Sequence, residues 1–225
     1  MNILKRGMVF ITFFGCCFAI ALMAAAMSTR FWLEAEAVQQ RVGPDNTLEV
    51  RPNSTGHVNF GLFKGRKSLN VGFGTRLHSF DVNSVFMNYG LWVGTIVCLS
   101  LGMVFAVVGA LFAVINTATT PVEAITGVPG LYLWNGLAAL FNLICVILWA
   151  VQYHKYLTHN VLLYDAVDGW TTENNEVFGY SYWLVVVAIF VHVVNIGIIF
   201  MGTYEPKIKE QLQAPDPKGG NIMLY

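Results

Sequence analysis

The sequence predicts an all-α membrane protein: a bundle of four transmembrane helices with a small antiparallel β-sheet formed by the extracellular loops. Four runs without any charged residue predict the helices, at residues 7–29, 82–122, 124–154 and 177–204. Each run is at least as long as the roughly 20 apolar residues that cross a bilayer core about 30 Å thick. Composition agrees, because charged residues make up only 12% of the chain, against about 25% in soluble domains.

The uncharged runs divide the chain into spans, loops and ends. The short connection after the second span makes the second and third helices antiparallel neighbours. The apolar stretch near the N-terminus is about 20 residues long, whereas a signal-peptide core has about 7–15, so we interpret it as a span. The predicted order is N-terminus 1–7, first span 8–27, extracellular loop 28–84, second span 85–115 (core 91–115), turn 116–127, third span 128–152, extracellular loop 153–181, fourth span 182–201 and tail 202–225.

The distribution of positive charge predicts the orientation. Lys5 and Arg6 precede the first span and three lysines follow the fourth, whereas loop 153–181 has one lysine against four acidic residues. Because short cytoplasmic segments carry the excess of Lys and Arg, both termini are predicted to be cytoplasmic. The sequon that begins at Asn53 then lies in an outer loop, which makes Asn53 a candidate glycosylation site.

The first outer loop carries strand-like patterns. Residues 57–63 alternate partly between polar and apolar, and Leu69, Val71 and Phe73 are apolar at every second position. The basic run 64–67 between them is predicted to be a hairpin tip, either a solvated turn or a contact for anionic lipid or an acidic partner. Two strands alone are marginal, so we expect further strands and packing of this sheet on the outer ends of the helices.

Few polar residues lie inside the spans. Asn135 and Asn142 are seven residues apart on one face of the third helix, and His192 and Asn195 are three apart on one face of the fourth. A buried amide in hydrocarbon needs a partner, which predicts hydrogen bonds between helices. The alternative is a pore or proton path in which His192 titrates, but no span lines up several polar residues as a channel usually does.

Other chemistry is not indicated. A metal site at His192 lacks a second histidine or cysteine at ligand spacing, and net charge is zero, so we expect no metal and no nucleic-acid partner. Without a phosphate loop, nucleophile elbow or paired carboxylates, we expect neither an enzyme nor a cofactor. The cysteines all lie in the uncharged runs and are interpreted as packing residues, with palmitoylation of the first two as the alternative: Cys16, Cys17, Cys98 and Cys145.

Four stretches carry a family likeness. Residues 59–65 (NFGLFKG) and 71–76 (VGFGTR) resemble two loop segments, "YGLF-G" and "CGLG-R", of the clarins. Residues 127–135 (GVPGLYLWN) resemble the clarin entry to the third span, and Tyr182-Trp183 with His192 and Asn195 resemble the pattern of the fourth. The motif positions outside the spans and at the start of the third span are Gly61, Leu62, Phe63, Gly72, Gly74, Arg76, Gly130 and Trp134.

The resemblance to clarins, within the wider claudin and peripheral-myelin-protein group, implies a claudin-like fold and a role in the plasma membrane of sensory cells. It implies a membrane organiser or adaptor for hearing and vision, linked to hair bundles, mechanotransduction, ribbon synapses and actin. One departure is that this chain has Val71 where clarins place a cysteine. A second is that Phe63 stands where claudins have tryptophan, with no cysteine pair after it. The sheet must therefore rely on packing.

Three functions remain open at this point. An adaptor would contact membrane lipids and bind proteins through its outer loops and its tail, which ends in Met223, Leu224 and Tyr225 and fits a PDZ-type groove or an actin-linked scaffold. An auxiliary subunit of an ion or mechanotransduction channel would use the same features. A pore or transporter is disfavoured, because ionisable groups within the membrane usually mark such pathways and only His192 is present.

Overall fold

The computed structural model describes residues 3–82, 87–119, 125–162 and 164–203. Within these ranges it contains four helices that are long and apolar enough to cross a membrane. The helices are α1 (Ile3–Ser28), α2 (Tyr89–Ala118), α3 (Val128–Gln152) and α4 (Tyr180–Thr203). Only 28–33% of each span is buried inside the bundle, so most of its apolar surface is available to lipid.

The helices differ from the predicted spans at their ends. α1 begins at Ile3 and α4 ends at Thr203, so both extend beyond the predicted ranges. α2 begins at Tyr89 because the Asn88 side chain accepts hydrogen bonds from the first backbone N–H groups of the helix. α2 also continues through Ala118, where the turn 116–127 was predicted. α3 has the predicted bounds, and a π-helical turn follows it inside the predicted loop.

The four helices form a ring in which α1 and α3 each pack against both α2 and α4. The buried positions recur every three to four residues, which is one face of each helix. That face is rich in small residues on α2, including Gly102, Ala106, Gly109 and Ala110. Small side chains permit close approach of helix backbones, which is the main source of packing energy in a membrane.

An antiparallel sheet caps one end of the bundle, as the sequence predicts. Its central path is β2-β1-β3-β4-β5, and two short strands from the loop before α4 also pair with β1. We call this the sheet end of the bundle and the other the open end. The strands are β1 (Leu33–Val42), β2 (Leu48–Val50), β3 (Thr55–Phe60), β4 (Lys64–Asn70), β5 (Thr75–Asp81), β6 (Trp170–Thr171) and β7 (Glu176–Phe178).

The basic run 64–67 is not the hairpin tip that the sequence suggests, because it forms the first half of β4. The β3–β4 turn is instead residues 61–63, closed by a hydrogen bond from the Gly61 N–H to the Lys64 carbonyl at 2.9 Å. A Cβ at Gly61 would lie 2.2 Å from the Thr29 carbonyl oxygen at the end of α1. The turn is therefore at Gly61 because only glycine allows the chain to come this close to α1.

Indole and phenol groups fasten the sheet to the helices. The Trp32 Nε1 donates to the Ala26 carbonyl at 2.6 Å, and its ring packs edge-on against Trp149 of α3. The Trp92 Nε1 of α2 donates to the Leu62 carbonyl at 2.8 Å. The Tyr153 hydroxyl donates to the Glu176 carbonyl of β7 at 2.7 Å. These bonds connect both loops to three different helices without a disulfide among the described residues.

Candidate functional site: a polar cluster between the helices

Polar side chains from three helices meet inside the bundle. α1 contributes the Cys16 thiol and the backbone carbonyl of Thr12, α3 contributes Asn135, and α4 contributes His192 and Asn195. Each of the five is at most 2% exposed. The helical period explains the convergence, because Thr12 and Cys16 are four residues apart and His192 and Asn195 are three apart, so each pair lies on one face. We call these five residues the central cluster.

The amide of Asn135 organises the central cluster. Its Oδ1 accepts from the His192 Nδ1 at 3.0 Å, from the Asn195 Nδ2 at 3.2 Å and from the Cys16 thiol at 3.5 Å. Its Nδ2 donates to the Leu131 carbonyl at 3.0 Å, which fixes the orientation of the amide. Because Oδ1 only accepts, the His192 ring carries its hydrogen on Nδ1. The predicted pairing of α3 with α4 through Asn135, His192 and Asn195 is therefore present.

Glycines allow the cluster to form. A Cβ at Gly15 would lie 2.1 Å from the Asn195 Oδ1, so the amide of α4 rests directly on the backbone of α1. On α2, a Cβ at Gly109 would be 3.5 Å from the Cys16 Sγ and 3.7 Å from the Asn135 Nδ2. All four helices thus contribute to the packing around the cluster. The sequence spacing of small residues predicts close packing but not which side chains fill the space beside them.

The structure contradicts the hydrogen bond between helices that is predicted for Asn142. It is fully buried, but neither its Nδ2 nor its Oδ1 has a hydrogen-bond partner among the described residues. The physical reason is the residue opposite, because Asn142 faces Gly102 of α2, which has no side chain to bond with. A Cβ at Gly102 would lie 2.5 Å from the Asn142 Oδ1, so the contact resembles a Cα–H···O interaction rather than an amide pair.

Gln152 is a buried polar residue that the sequence analysis missed. The sequence predicts it only as the last residue of the third span, yet it is fully buried with both side-chain polar atoms unpaired within the described part of the chain. Asn135, Asn142 and Trp149 repeat every seven residues on α3 and Gln152 follows one turn later, all on its buried face. The expectation that no span lines up several polar residues is therefore wrong for α3. The seven-residue spacing was the signal available in the sequence.

The chemistry of the central cluster is that of a helix-to-helix contact. It contains amides, one imidazole and one thiol, and no group of three His, Cys, Asp or Glu among the described residues is placed to hold a metal ion. Hydrogen bonds between membrane helices each contribute about 0.6 kcal/mol on average. The cluster connects α1, α3 and α4 at one level and can fix their register.

Comparison with known proteins gives the family. The family model described as Clarin-2-like matches residues 5–199. The chain belongs to the clarin family. Clarin-3 of Homo sapiens is 25% identical over 87% of this chain and 86% of its own length. Clarin-2 of Mus musculus is 26% identical over 85% and 86%, and Clarin-1 of Rattus norvegicus is 26% identical over 92% and 93%.

Family membership confirms the resemblance seen in the sequence. Together with the four apolar helices, it identifies this clarin as a multi-pass membrane protein. The matched range 5–199 contains the central cluster and all seven strands.

The loop motif positions of this clarin have structural roles in turns and at the surface. Gly61 and Leu62 are buried in the β3–β4 turn, and Phe63 beside them is 47% exposed. Gly72 and Gly74 form the β4–β5 turn with φ of 96° and 115°, a region that favours glycine. The remaining motif residue of the loop, Arg76, is exposed on β5.

The motif at the start of α3 lies at the open end. Gly130 is buried in the first turn of the helix. Trp134 stacks between Phe105 and Phe112 of α2, with ring centroids 6.1 Å and 6.0 Å away. This clarin therefore uses Trp134 to join α2 and α3 on the lipid-facing side of the bundle.

The last two predicted sites are Asn53 and the tail. Asn53 is exposed in the turn between β2 and β3, with a left-handed φ of 64°. The tail residues Met223, Leu224 and Tyr225 lie outside the described residues.

Proposed function

We propose that this clarin is a non-enzymatic membrane organiser, or adaptor, that assembles a protein complex in the plasma membrane of sensory cells. The complexes that fit the family are those of the hair bundle, mechanotransduction and ribbon synapse, with a link to actin and to hearing and vision. The observation that carries the proposal is the sheet, which combines strands from both loops and is hydrogen-bonded directly to α1, to α2 and to the π-helical turn after α3.

The exposed parts of the sheet support a binding role. The β4–β5 turn presents Phe73 with 92% of its surface exposed, and Leu77 of β5 is 59% exposed. Val42 and Leu48, which pair across the β1–β2 hairpin, are 64% and 70% exposed. Exposed apolar side chains on a rigid support are typical of surfaces that contact other proteins.

The orientation that suits this function has the sheet outside the cell and both termini in the cytoplasm. Partners would then bind the sheet from outside, and a PDZ-type or actin-linked scaffold would bind the tail ending in Met223, Leu224 and Tyr225. Lys5 and Arg6 near the start of α1 and the three lysines after α4 support this orientation.

Proximity labelling from the tail in native sensory tissue tests the adaptor function. We expect scaffold and actin-associated proteins to be enriched over a tail-labelled, unrelated four-span protein. A second arm deletes residues 222–225, which should abolish the scaffold fraction and leave surface expression unchanged. An unchanged set of labelled proteins would remove the tail from the proposal, and labelling equal to the unrelated protein would contradict the adaptor function.

The second candidate function is an auxiliary subunit of an ion or mechanotransduction channel. The lipid-facing stripe on α1 favours it, because Phe10, Phe14 and Phe18 are four residues apart, exposed, and able to pack on the span of another protein. Co-expression with candidate channels and current recording discriminates the two. Altered gating that is lost when the three phenylalanines become leucines would favour the channel subunit, and unaltered currents across the candidates would exclude it.

A pore formed by this clarin itself is the third and least supported candidate. The line of buried polar residues on α3 is the one feature that favours it, although none of those residues is charged. Ion flux into liposomes at acidic and at neutral pH tests this function, and no flux at either pH would exclude it.

A further inference from the structure

The β3–β4 turn (residues 61–63) sits at the level where the helices leave the membrane. Gly61 lies against the carbonyl of Thr29, just after α1 ends, and the Leu62 carbonyl accepts from Trp92 in the first turn of α2. Both helices are membrane spans that end or begin at this level. The turn is therefore fixed at the boundary between hydrocarbon and headgroups on the sheet side of the bilayer.

Two aromatic rings are exposed beside this turn. Phe63 at its tip is 47% exposed, and Tyr89 at the start of α2 is 65% exposed and packs edge-on against Trp92. Exposed aromatic rings at this depth are typical of residues that lie among lipid headgroups. The tip of the turn at Phe63 thus faces lipid, whereas Gly61 and Leu62 are buried against the bundle.

Basic side chains stand next to these rings. Lys64 and Arg66 are exposed on the same face of β4, about 7 Å apart along the strand, and Arg30 is exposed immediately after α1. The Arg30 Cα is 3.1 Å from the position that a Cβ on Gly61 would take. Among the described residues, none of these three cations forms an ion pair.

The alternation along β4 separates these cations from Lys67. Lys67 points to the other face of the sheet, where it pairs with Asp165 of the second loop. On the outer face, Asp81 lies opposite Lys64, while Arg66 lies opposite Ser79 and Asn59, with Glu34 beyond Asn59. Close to the membrane, three cations therefore lie near two acids, Asp81 and Glu34, which leaves a net charge of +1 there. Glu36 is on the same face, further along β1.

We propose that Arg30, Lys64 and Arg66 bind the phosphate of an anionic phospholipid while Phe63 packs at the top of its acyl chains. We call these four residues the boundary patch. Guanidinium and ammonium groups are the usual donors to phosphate, and a planar guanidinium can make two parallel hydrogen bonds to it. A soluble acidic protein fits less well, because the exposed Phe63 would have to leave the lipid to meet it. This inference goes beyond the adaptor function and depends neither on that function nor on the proposed orientation. It concerns the leaflet on the sheet side, whichever face of the membrane that is.

The test uses the full-length, delipidated protein in nanodiscs of phosphatidylcholine with or without phosphatidylserine. Native mass spectrometry measures retained lipid, and thermal unfolding measures stabilisation. We expect preferential retention of phosphatidylserine by the wild type, weakened about 30-fold in the double variant Lys64→Gln/Arg66→Gln. The charge-preserving exchange Lys64→Arg/Arg66→Lys should keep the preference, which separates lost binding from misfolding.

Matched controls decide whether the effect belongs to the boundary patch. Lys155→Gln removes an exposed cation after α3 at the same end of the bundle, and Arg41→Gln removes one from the distant β1–β2 hairpin. Both should retain the lipid preference. An equal loss in Lys155→Gln, no loss in the double variant, or equal stabilisation by soluble glycerol phosphate would each overturn the proposal.

Discussion

At the residue scale, the bundle is built from asparagines that rest on glycines. Asn195 of α4 lies on Gly15 of α1, and Asn142 of α3 lies on Gly102 of α2. In the first contact the amide also has hydrogen-bond partners, whereas in the second it has none among the described residues. The same packing unit therefore stabilises one helix pair and leaves a desolvated amide in another, and substitutions can distinguish the two.

Gly15→Ala should destabilise the bundle. The new methyl group would overlap the Asn195 Oδ1, which lies 2.1 Å from its position, and displacing this amide breaks its bond to Asn135. We expect a loss of about 1–3 kcal/mol in the free energy of unfolding. Unfolding in mixed micelles of mild detergent and sodium dodecyl sulfate measures it.

Gly197→Ala is the matched control for Gly15→Ala. It also introduces a methyl group within a span, but nothing lies within 4 Å of the new Cβ. It should be neutral or stabilise by up to about 1 kcal/mol, because alanine is the better helix former. Equal effects of the two substitutions would show that the Asn195–Gly15 contact does not contribute to the stability of the bundle.

Asn135→Leu and Asn142→Leu should have different effects on the free energy of unfolding, although both sites are buried on one face of α3. Removing the Asn135 Oδ1 leaves the donors of His192 and Cys16 without their acceptor and takes one of three acceptors from Asn195, so we expect a loss of about 1–3 kcal/mol. Removing the unpaired Asn142 amide should be neutral or stabilising, since no bond is lost. The same detergent unfolding measures both, and a large loss for Asn142→Leu would show that its amide is paired in the membrane.

At the element scale, the sequence predicts helices far better than strands. A charge-free run of about 20 residues has one structural solution in a membrane, so the spans are fixed by composition alone. The loop strands depend instead on close contacts such as that of Gly61 with α1. The alternation in residues 57–63 reveals β3, but nothing local shows that the chain turns at Gly61 and that the basic run 64–67 begins β4. The burial of the Gln152 side chain likewise depends on the packing of other segments around it.

The second loop gives the sheet a pH-sensitive element. Glu176 of β7 is only 7% exposed, and its Oε1 accepts from the Thr172 hydroxyl at 2.9 Å, which in turn accepts from the Val161 N–H. Burial raises the pKa of the Glu176 carboxyl above its usual value, and hydrogen bonds from Thr172 and nearby backbone offset this only in part. The folded state therefore holds this proton more tightly than the unfolded state does.

The sign of the pH effect follows from this raised pKa. As pH rises from about 4.3, the usual pKa of an unfolded glutamate, towards the raised folded value, the folded state loses the stability that the proton provides. Glu176 thus makes Tm fall with rising pH in that window and contributes no slope above it. Glu176→Gln should remove this contribution while keeping an acceptor for Thr172. Glu173→Gln, at an exposed position, shows how much of the slope comes from net charge, and an unchanged slope in Glu176→Gln would contradict the assignment.

At the scale of the whole molecule, the sheet and the bundle form one unit with two different ends. The sheet end is held by indole and phenol hydrogen bonds and by the Lys67–Asp165 pair between the two loops. The central cluster lies deeper and fixes the register of α1, α3 and α4. The sequence could predict that this unit spans the membrane, and its charge distribution predicts which end faces outward, a prediction that Asn53 makes testable.

Asn53 should carry an N-linked glycan in cells if the sheet faces outward. The side chain is exposed in a turn between strands, far along the sheet from the helices, so an oligosaccharide can be attached without steric conflict. Asn53→Gln is an unsuitable test, because a φ of 64° suits asparagine better than glutamine and the substitution would strain the turn. Thr55→Ala removes the sequon and leaves Asn53 in place, while Thr55→Ser keeps the sequon at the same exposed position.

The measurement is the electrophoretic shift after removal of N-glycans by peptide N-glycosidase. We expect a shift for the wild type and for Thr55→Ser, and none for Thr55→Ala. A second reporter separates the orientation from the glycan itself: a sequon introduced into the exposed β4–β5 turn, residues 71–74, should be modified only if the sheet is outside. Modification of neither site in a protein that reaches the cell surface would reverse the orientation. The sheet would then be a cytoplasmic surface, and scaffold partners would have to bind it there rather than the tail.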